Sequence, residues 1–261
     1  MKKFKNILIG LVIIVILVIG AIAIFSKDNV NEDVSKVEDV EEKEKIIMVT
    51  EAGFAPYEFY DGEEIVGVDV EIAKKIAEKT GKELEIKDTD FDSIINEVKT
   101  GKADFAAAGL SITEERLQEV DFSVEYAVSK QVIVVKNEST AESIEDFNGK
   151  KVAVQLGTIA DLVLSDENPE VELVQHKKYL LAVEDLKADK VDAIVLDSLP
   201  AKEIVNKNPE LKILEKEVLT DKYGIAVQKG NTELLKSINE VLNELMDSEK
   251  IEEYTIKYLG E

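Results

Sequence analysis

Apolar residues follow two alternating rhythms from Ile46 onward, short β-rich runs and stripes at helical spacing. Ile46–Thr50 predicts a first strand. Tyr57–Tyr60 and Ile65–Val68 flank Asp61-Gly62 and predict a hairpin-like excursion. Ile72, Ala73, Ile76 and Ala77 share one helix face, which ends near Thr80-Gly81. Glu83–Lys87 predicts a strand, Phe91, Ile94, Ile95 and Val98 a helical stripe, and Asp104–Ala108 another strand. After a strand at Ser129–Val135, the rhythm restarts with a strand at Lys151–Val154 and a helix using Ile159, Leu162 and Val163. Val171–Val174 and Asp192–Leu196 predict strands around a helix at Tyr179–Ala188. Late strands fall at Leu211–Leu214 and Tyr223–Val227, before an amphipathic helix from Leu234 to Met246 and a shorter one around Ile251–Tyr258. Such alternation predicts an α/β fold with mostly parallel sheets covered on both faces. Binding groups are then expected at the carboxyl ends of strands. The rhythm resets near Lys130–Gln131 and Thr220–Tyr223, the candidate crossings between two lobes.

The first residues follow another pattern. Lys2, Lys3 and Lys5 precede Ile7–Phe25, a run without a charged or polar side chain. At about 1.5 Å per residue this run nearly spans a bilayer core of roughly 30 Å. Residues 1–25 therefore read as a membrane anchor through residues 7–25, with the N-terminus inside and the rest outside. A cleaved signal peptide is the competing reading, with Ala21-Ile22-Ala23 supplying small residues at the required spacing. Residues 26–44 read as an acidic, flexible spacer.

The chain carries 32 Lys+Arg against 55 Asp+Glu, a formal net charge of -23. This acidity argues against a nucleic-acid partner, because phosphate would be repelled over most of the surface. One histidine and no cysteine exclude zinc fingers, cysteine nucleophiles, Cys-ligated clusters and disulfides. His176 reads as a surface residue. Neither a dinucleotide fingerprint nor a P-loop occurs, so no cofactor or metal is expected.

The segment Thr50-Glu51-Ala52-Gly53-Phe54-Ala55-Pro56-Tyr57-Glu58-Phe59 is followed by Gly67-Val68-Asp69-Val70-Glu71-Ile72-Ala73. Asp90-Phe91, Gly109-Leu110-Ser111-Ile112-Thr113-Glu114-Glu115-Arg116, Val154-Gln155-Leu156-Gly157-Thr158 and Asp192-Ala193-Ile194-Val195-Leu196-Asp197 come next in order. Tyr223-Gly224-Ile225-Ala226 and Lys229-Gly230 complete the set. Over essentially all of 45–261 this series resembles the polar amino-acid-binding proteins of ABC importers (family 3 extracellular solute-binding proteins). The resemblance implies a two-lobed, type II periplasmic-binding-protein-like fold. Lobe 1 would comprise 45–127 and 225–261, lobe 2 would comprise 131–220, and the crossings at 128–130 and 221–224 would form the hinge. It also implies a monomeric ectodomain that binds one free L-amino acid by lobe closure and delivers it to ABC permease subunits, without catalysis.

Within that resemblance each site residue has a role and a plainer alternative. Arg116, the chain's sole arginine, offers a planar fork that holds a carboxylate with two charge-assisted bonds. The resemblance makes it the α-carboxylate clamp; otherwise it is a surface arginine after Glu114-Glu115. Gly109, Leu110, Ser111 and Thr158 match positions that contact the head group. Ser111 also fits a helix N-cap with Glu114 completing a capping box, and Thr158 fits the cap of the next helix. Asp197 matches the acid that takes the α-ammonium; its alternative is a loop residue capping Ser198–Val205. Phe54 and Phe91 match two aromatic walls or are ordinary core. Glu51 and Gln155 occupy side-chain-reading positions, or are a solvated acid and a polar strand end. Leu156 and Ile159 are bulky beside this loop and narrow the wall or pack inward. Arginine uses the four side-chain-reading groups best, its guanidinium stacking on aromatics and meeting Glu51; lysine ranks next and glutamine third. A sensory ectodomain and a cyclohexadienyl or arogenate dehydratase, with Glu51 or Asp197 as acid, are the other readings.

Overall fold

Two mixed sheets organise the structure, a computed structural model that describes residues 44–259. The apolar run 7–25 and the spacer up to residue 43 lie outside the described residues. Among the described residues, no helix is long and apolar enough to cross a membrane.

The first sheet has the order β5-β1-β6-β14-β7. Its strands are β1 (Lys45–Thr50), β5 (Glu83–Asp88), β6 (Phe105–Ala106), β7 (Val120–Phe122) and β14 (Ala226–Gln228). Strand β1 runs parallel to β5 and β6, whereas β14 is antiparallel to β6 and β7. Helix Val68–Thr80 buries Ile72 and Ile76, and helix Thr232–Asp247 buries Ile238 and Leu242. The two helices pack against each other, and the last helix, Lys250–Leu259, also packs on Val68–Thr80, which returns the end of the chain to the first sheet. A small sheet of β2 (Gly53–Phe54), β3 (Glu58–Asp61) and β4 (Glu64–Val66) extends from β1.

The second sheet has the order β10-β9-β11-β8-β12, with β13 paired to β8. Here β8 is Ala127–Lys136, β9 Lys151–Gln155, β10 Glu172–His176, β11 Ala193–Asp197, β12 Leu211–Ile213 and β13 Leu219–Tyr223. The pairs β9–β10 and β9–β11 are parallel, while β8 runs antiparallel to β11, β12 and β13. Val152, Val154, Ile133, Val195 and Leu164 close a core of its own.

Two expectations need correction. The sheets are mixed, not mostly parallel, because strands on either side of each crossing run back along their partners. The single strand expected over Tyr223–Val227 is the end of β13 and the start of β14, which belong to different sheets. Between them Gly224 lies against Ile112 and Phe122, where an added Cβ would stand 2.9 Å from Ile112.

Candidate ligand-binding site

Strand ends bring the chemistry together. Glu51 follows β1, Phe91 opens a short 3₁₀ turn after β5, and Gly109 and Ser111 follow β6. From the second sheet, Gln155 ends β9, Thr158 and Ile159 begin the next helix, and Asp197 ends β11. These eight residues, with Phe54 and Glu58, line one pocket.

Asp197 is buried, and its Oδ1 accepts from Ser129 Oγ at 2.6 Å and from the Tyr223 hydroxyl. Burial raises its pKa, and the two hydroxyl donors oppose that rise. It occupies the N-cap position of helix Ser198–Lys207 without a side-chain cap bond. The capping alternative is therefore replaced by a strand-end carboxylate with two hydroxyl partners. Nearby Asp221 accepts from Ser111 Oγ; burial and the charge of Asp197 push its pKa up to about 6.

Ser111 is not the helix cap. Thr113 caps Glu114–Glu119 by accepting from the Arg116 backbone N–H at 3.2 Å, which leaves the Ser111 hydroxyl committed to Asp221. Thr158 does cap its helix, Ile159–Glu167, and also donates to the Gln155 carbonyl at 2.8 Å.

Arg116 is buried, not a surface residue. Its terminal nitrogens donate to the Ser111 carbonyl at 2.6 Å and, across the lobes, to the Gly157 carbonyl at 2.9 Å. Its guanidinium carbon lies 5.6 Å from the Phe91 ring centroid. Arg116 is absent from the pocket lining but adjoins it through Ser111, and each terminal nitrogen keeps another N–H. Burial lowers its pKa to about 10, with Asp221 and Asp197 opposing, so it stays cationic at neutral pH.

Phe54 stacks on Tyr57 and Tyr179 with centroids 6.0 and 5.9 Å away. Gly109 permits this packing: at φ +51° an added Cβ would stand 2.8 Å from the Phe54 ring. Leu110 does not reach the pocket. Its side chain is fully buried in the core with Ile94, Val98 and Val120, and the residue is not part of the pocket lining. Leu156 stays outside the lining, whereas Ile159 narrows the wall.

Glu51 is 2% exposed and is no solvated acid. Lys178 donates to its Oε1, and Gln155 Nε2 donates to Oε2 at 3.2 Å. Burial raises its pKa against both partners. Gln155 also donates to the Lys177 carbonyl at 2.8 Å.

Ser129, Tyr223, Asp221, Glu58, Tyr179 and Lys178 complete the environment and were missed in the sequence. An acid inside the apolar run Tyr57-Glu58-Phe59 is the one local signal among them. Burial, then the charges of Asp69 and Glu51, hold the Glu58 carboxyl well above the ordinary range. Asp69 accepts from the Gly109 N–H at 2.9 Å and from the Tyr126 hydroxyl, tying the pocket loop to helix Val68–Thr80. His176 is also corrected. Its side chain is only 12% exposed, 3.5 Å from Asp185, and its strand position pairs with Gln155 beside the pocket.

Fold and site together define a two-lobed α/β binding protein whose cleft groups hold charge and are not arranged around a nucleophile. The chain belongs to the bacterial extracellular solute-binding proteins, family 3, whose model matches residues 46–261. It is a solute-binding protein and not an enzyme, and the dehydratase reading finds no support. The chain is 33% identical to the arginine-binding extracellular protein ArtP of Bacillus subtilis over 83% of its length and 86% of that protein. It is 33% identical to the amino acid ABC transporter substrate-binding protein AbpA of Streptococcus pneumoniae, solved bound to L-arginine. That likeness has a TM-score of 0.80 and covers 83% of this chain and 94% of the other. An ancestral arginine-binding protein solved bound to glutamine is 39% identical, with a TM-score of 0.78, over 83% of this chain and 98% of its own.

Proposed function

We propose that this protein captures a cationic L-amino acid, arginine before lysine, between its lobes and delivers it to an ABC permease. The observation carrying this reading is that Glu51 and Asp197 are buried in the same pocket as a third acid, Glu58, whose carboxyl burial holds well above the ordinary range. A buried carboxylate is costly unless paired; Asp197 meets only hydroxyl donors, and Glu51 shares its charge with the partly exposed Lys178. One amino acid with a cationic side chain supplies two positive groups, its α-ammonium for Asp197 and its side-chain cation for Glu51. Arg116 then takes the α-carboxylate, while Gly109, Ser111 and Thr158 hold the head group. Phe54 and Phe91 flank the stem, and Gln155 accepts a remaining donor. Relatives named for arginine binding support the choice; glutamine in the ancestral protein keeps a neutral ligand as the second reading.

The paired strands β8 and β13, from Ala127 to Gln131 and Leu219 to Tyr223, serve as the hinge in this reading. Closure is favoured by ligand because only the closed form contacts it from both lobes. A thermal-shift screen of the common amino acids tests the assignment, since a ligand of the native state raises apparent stability. Arginine and lysine are expected to raise the melting temperature most, glutamine less, and glutamate not at all. Glu51→Gln is expected to weaken arginine by about 1.5–3 kcal/mol, the range for a hydrogen bond to a charged group. A shift with glutamate and none with arginine would overturn the cationic ligand.

Residues 7–25 serve as an uncleaved anchor in the same reading, holding a monomeric ectodomain at the external face of the cytoplasmic membrane. Intact-mass measurement of native protein is expected to find an N-terminus at Met1. A mature N-terminus between Ala21 and Ser26 would instead mean a cleaved signal peptide.

A further inference from the structure

The acid assigned to the ligand's side-chain cation already carries a cation of the protein's own. Lys178, at the N-cap of helix Tyr179–Lys187 in the second lobe, reaches Glu51 in the first. With Gln155 on the other oxygen, both Glu51 oxygens are engaged. Lys178 also stands 3.8 Å from Asp88 Oδ1. Exposure grades across this trio: the side chains are 2% exposed at Glu51, 29% at Asp88 and 38% at Lys178. Asp88 is held in place by the Ala52 N–H at 2.8 Å and the Tyr60 hydroxyl at 3.3 Å. The ammonium therefore has two acids within reach, a buried one facing the pocket and a wetter one at the rim.

We propose that Lys178 is a specificity-determining residue, an internal cation that competes with the ligand's side chain for Glu51 and thereby sets the preference for cationic over neutral ligands. The inference rests on the reading that Glu51 faces the ligand side chain. A neutral side chain such as glutamine's leaves the Lys178–Glu51 pair in place. A guanidinium or ammonium meets a carboxylate whose charge is already matched, and gains it by moving Lys178 out to Asp88. Side-chain exposure makes that movement cheap, because the displaced ammonium stays hydrated and paired. The adjacent Lys177–Asp90 pair, 2.5 Å long, also joins the lobes, but its members are 60% and 35% exposed and Asp90 does not line the pocket. It shares the geometry of a cross-lobe latch without the contact to Glu51, which makes it the control.

Calorimetric titration of the full protein with arginine and with glutamine tests the proposal in wild type, Lys178→Gln, Lys177→Gln and Asp88→Asn, with circular dichroism on each. Lys178→Gln is expected to raise the ratio of arginine to glutamine affinity about tenfold or more. Lys177→Gln is expected to change both affinities by one common factor, and Asp88→Asn to lower the ratio. Equal loss of both ligands in Lys178→Gln would reduce Lys178 to a latch and overturn the proposal. A wild type that binds glutamine and not arginine would overturn the cationic reading instead; a gain of arginine binding in Lys178→Gln would then still support the competition. An unchanged ratio overturns it whichever ligand the wild type prefers.

Discussion

Arg116→Ala is expected to weaken amino-acid binding by about 2–5 kcal/mol, the range for truncating one partner of a buried charge pair. At about 1.4 kcal/mol per tenfold, that is a loss of roughly thirty- to several-thousand-fold. Two effects combine. The ligand carboxylate loses its only arginine, and closure loses the guanidinium's bond to the Gly157 carbonyl. Arg116→Lys separates them: it keeps a cation but loses the fork, so an intermediate affinity is expected. Circular dichroism should stay native, because Arg116 sits on a short helix whose cap is made by Thr113. Calorimetry showing less than about a threefold change in Arg116→Ala with native structure would remove the residue from the site.

Local chemistry explains what was legible. Asp197 stood out because a charged residue directly follows a β-rich run, and the carboxyl end of a strand is where such folds place ligands. Its partners were hidden. Ser129 lies 68 positions away and Tyr223 lies 26 away, on strands that approach β11 only through the sheet order. Periodicity also joined Tyr223 to Val227 across Gly224-Ile225, since it registers apolar alternation and not the sheet to which each end belongs. Ser111 followed a capping-box spacing, yet Thr113 is nearer the helix and Asp221 claims the serine hydroxyl. The polar run Gln175, His176 and Lys177 points to a surface position for His176, although its strand runs beside β9. Lys178 had no signal at all among the chain's lysines. What makes it special is a carboxylate 127 positions earlier, brought near only by apposition of the two lobes.

Asp197→Asn is expected to cost a similar 2–5 kcal/mol in affinity, because the amide keeps the shape but not the charge opposite the ligand's ammonium. The pH profile gives a second signature. Burial raises the pKa of Asp197, and burial with the charge of Asp197 raises Asp221 to about 6. Both exceed the ordinary aspartate value of 3.8. Between 3.8 and about 6 the folded protein therefore holds protons that the unfolded chain has released. The contribution of these acids to stability without ligand is thus expected to be greatest below that window and to fall as pH rises through it. Asp69, raised to about 6 mainly by burial, adds to this stability slope without touching the ligand. Ligand affinity runs the other way. A protonated Asp197 cannot neutralise an ammonium, so binding strengthens as pH rises and levels off once the carboxylates are ionised. In Asp197→Asn the negative neighbour that lifts Asp221 is gone, so any remaining pH dependence of binding should be shallower and lie lower. Thermal melts paired with calorimetric titrations from about pH 4 to 8 measure both slopes. A wild-type affinity that stays flat while stability falls would separate the buried acids from ligand binding and remove Asp197 from its role.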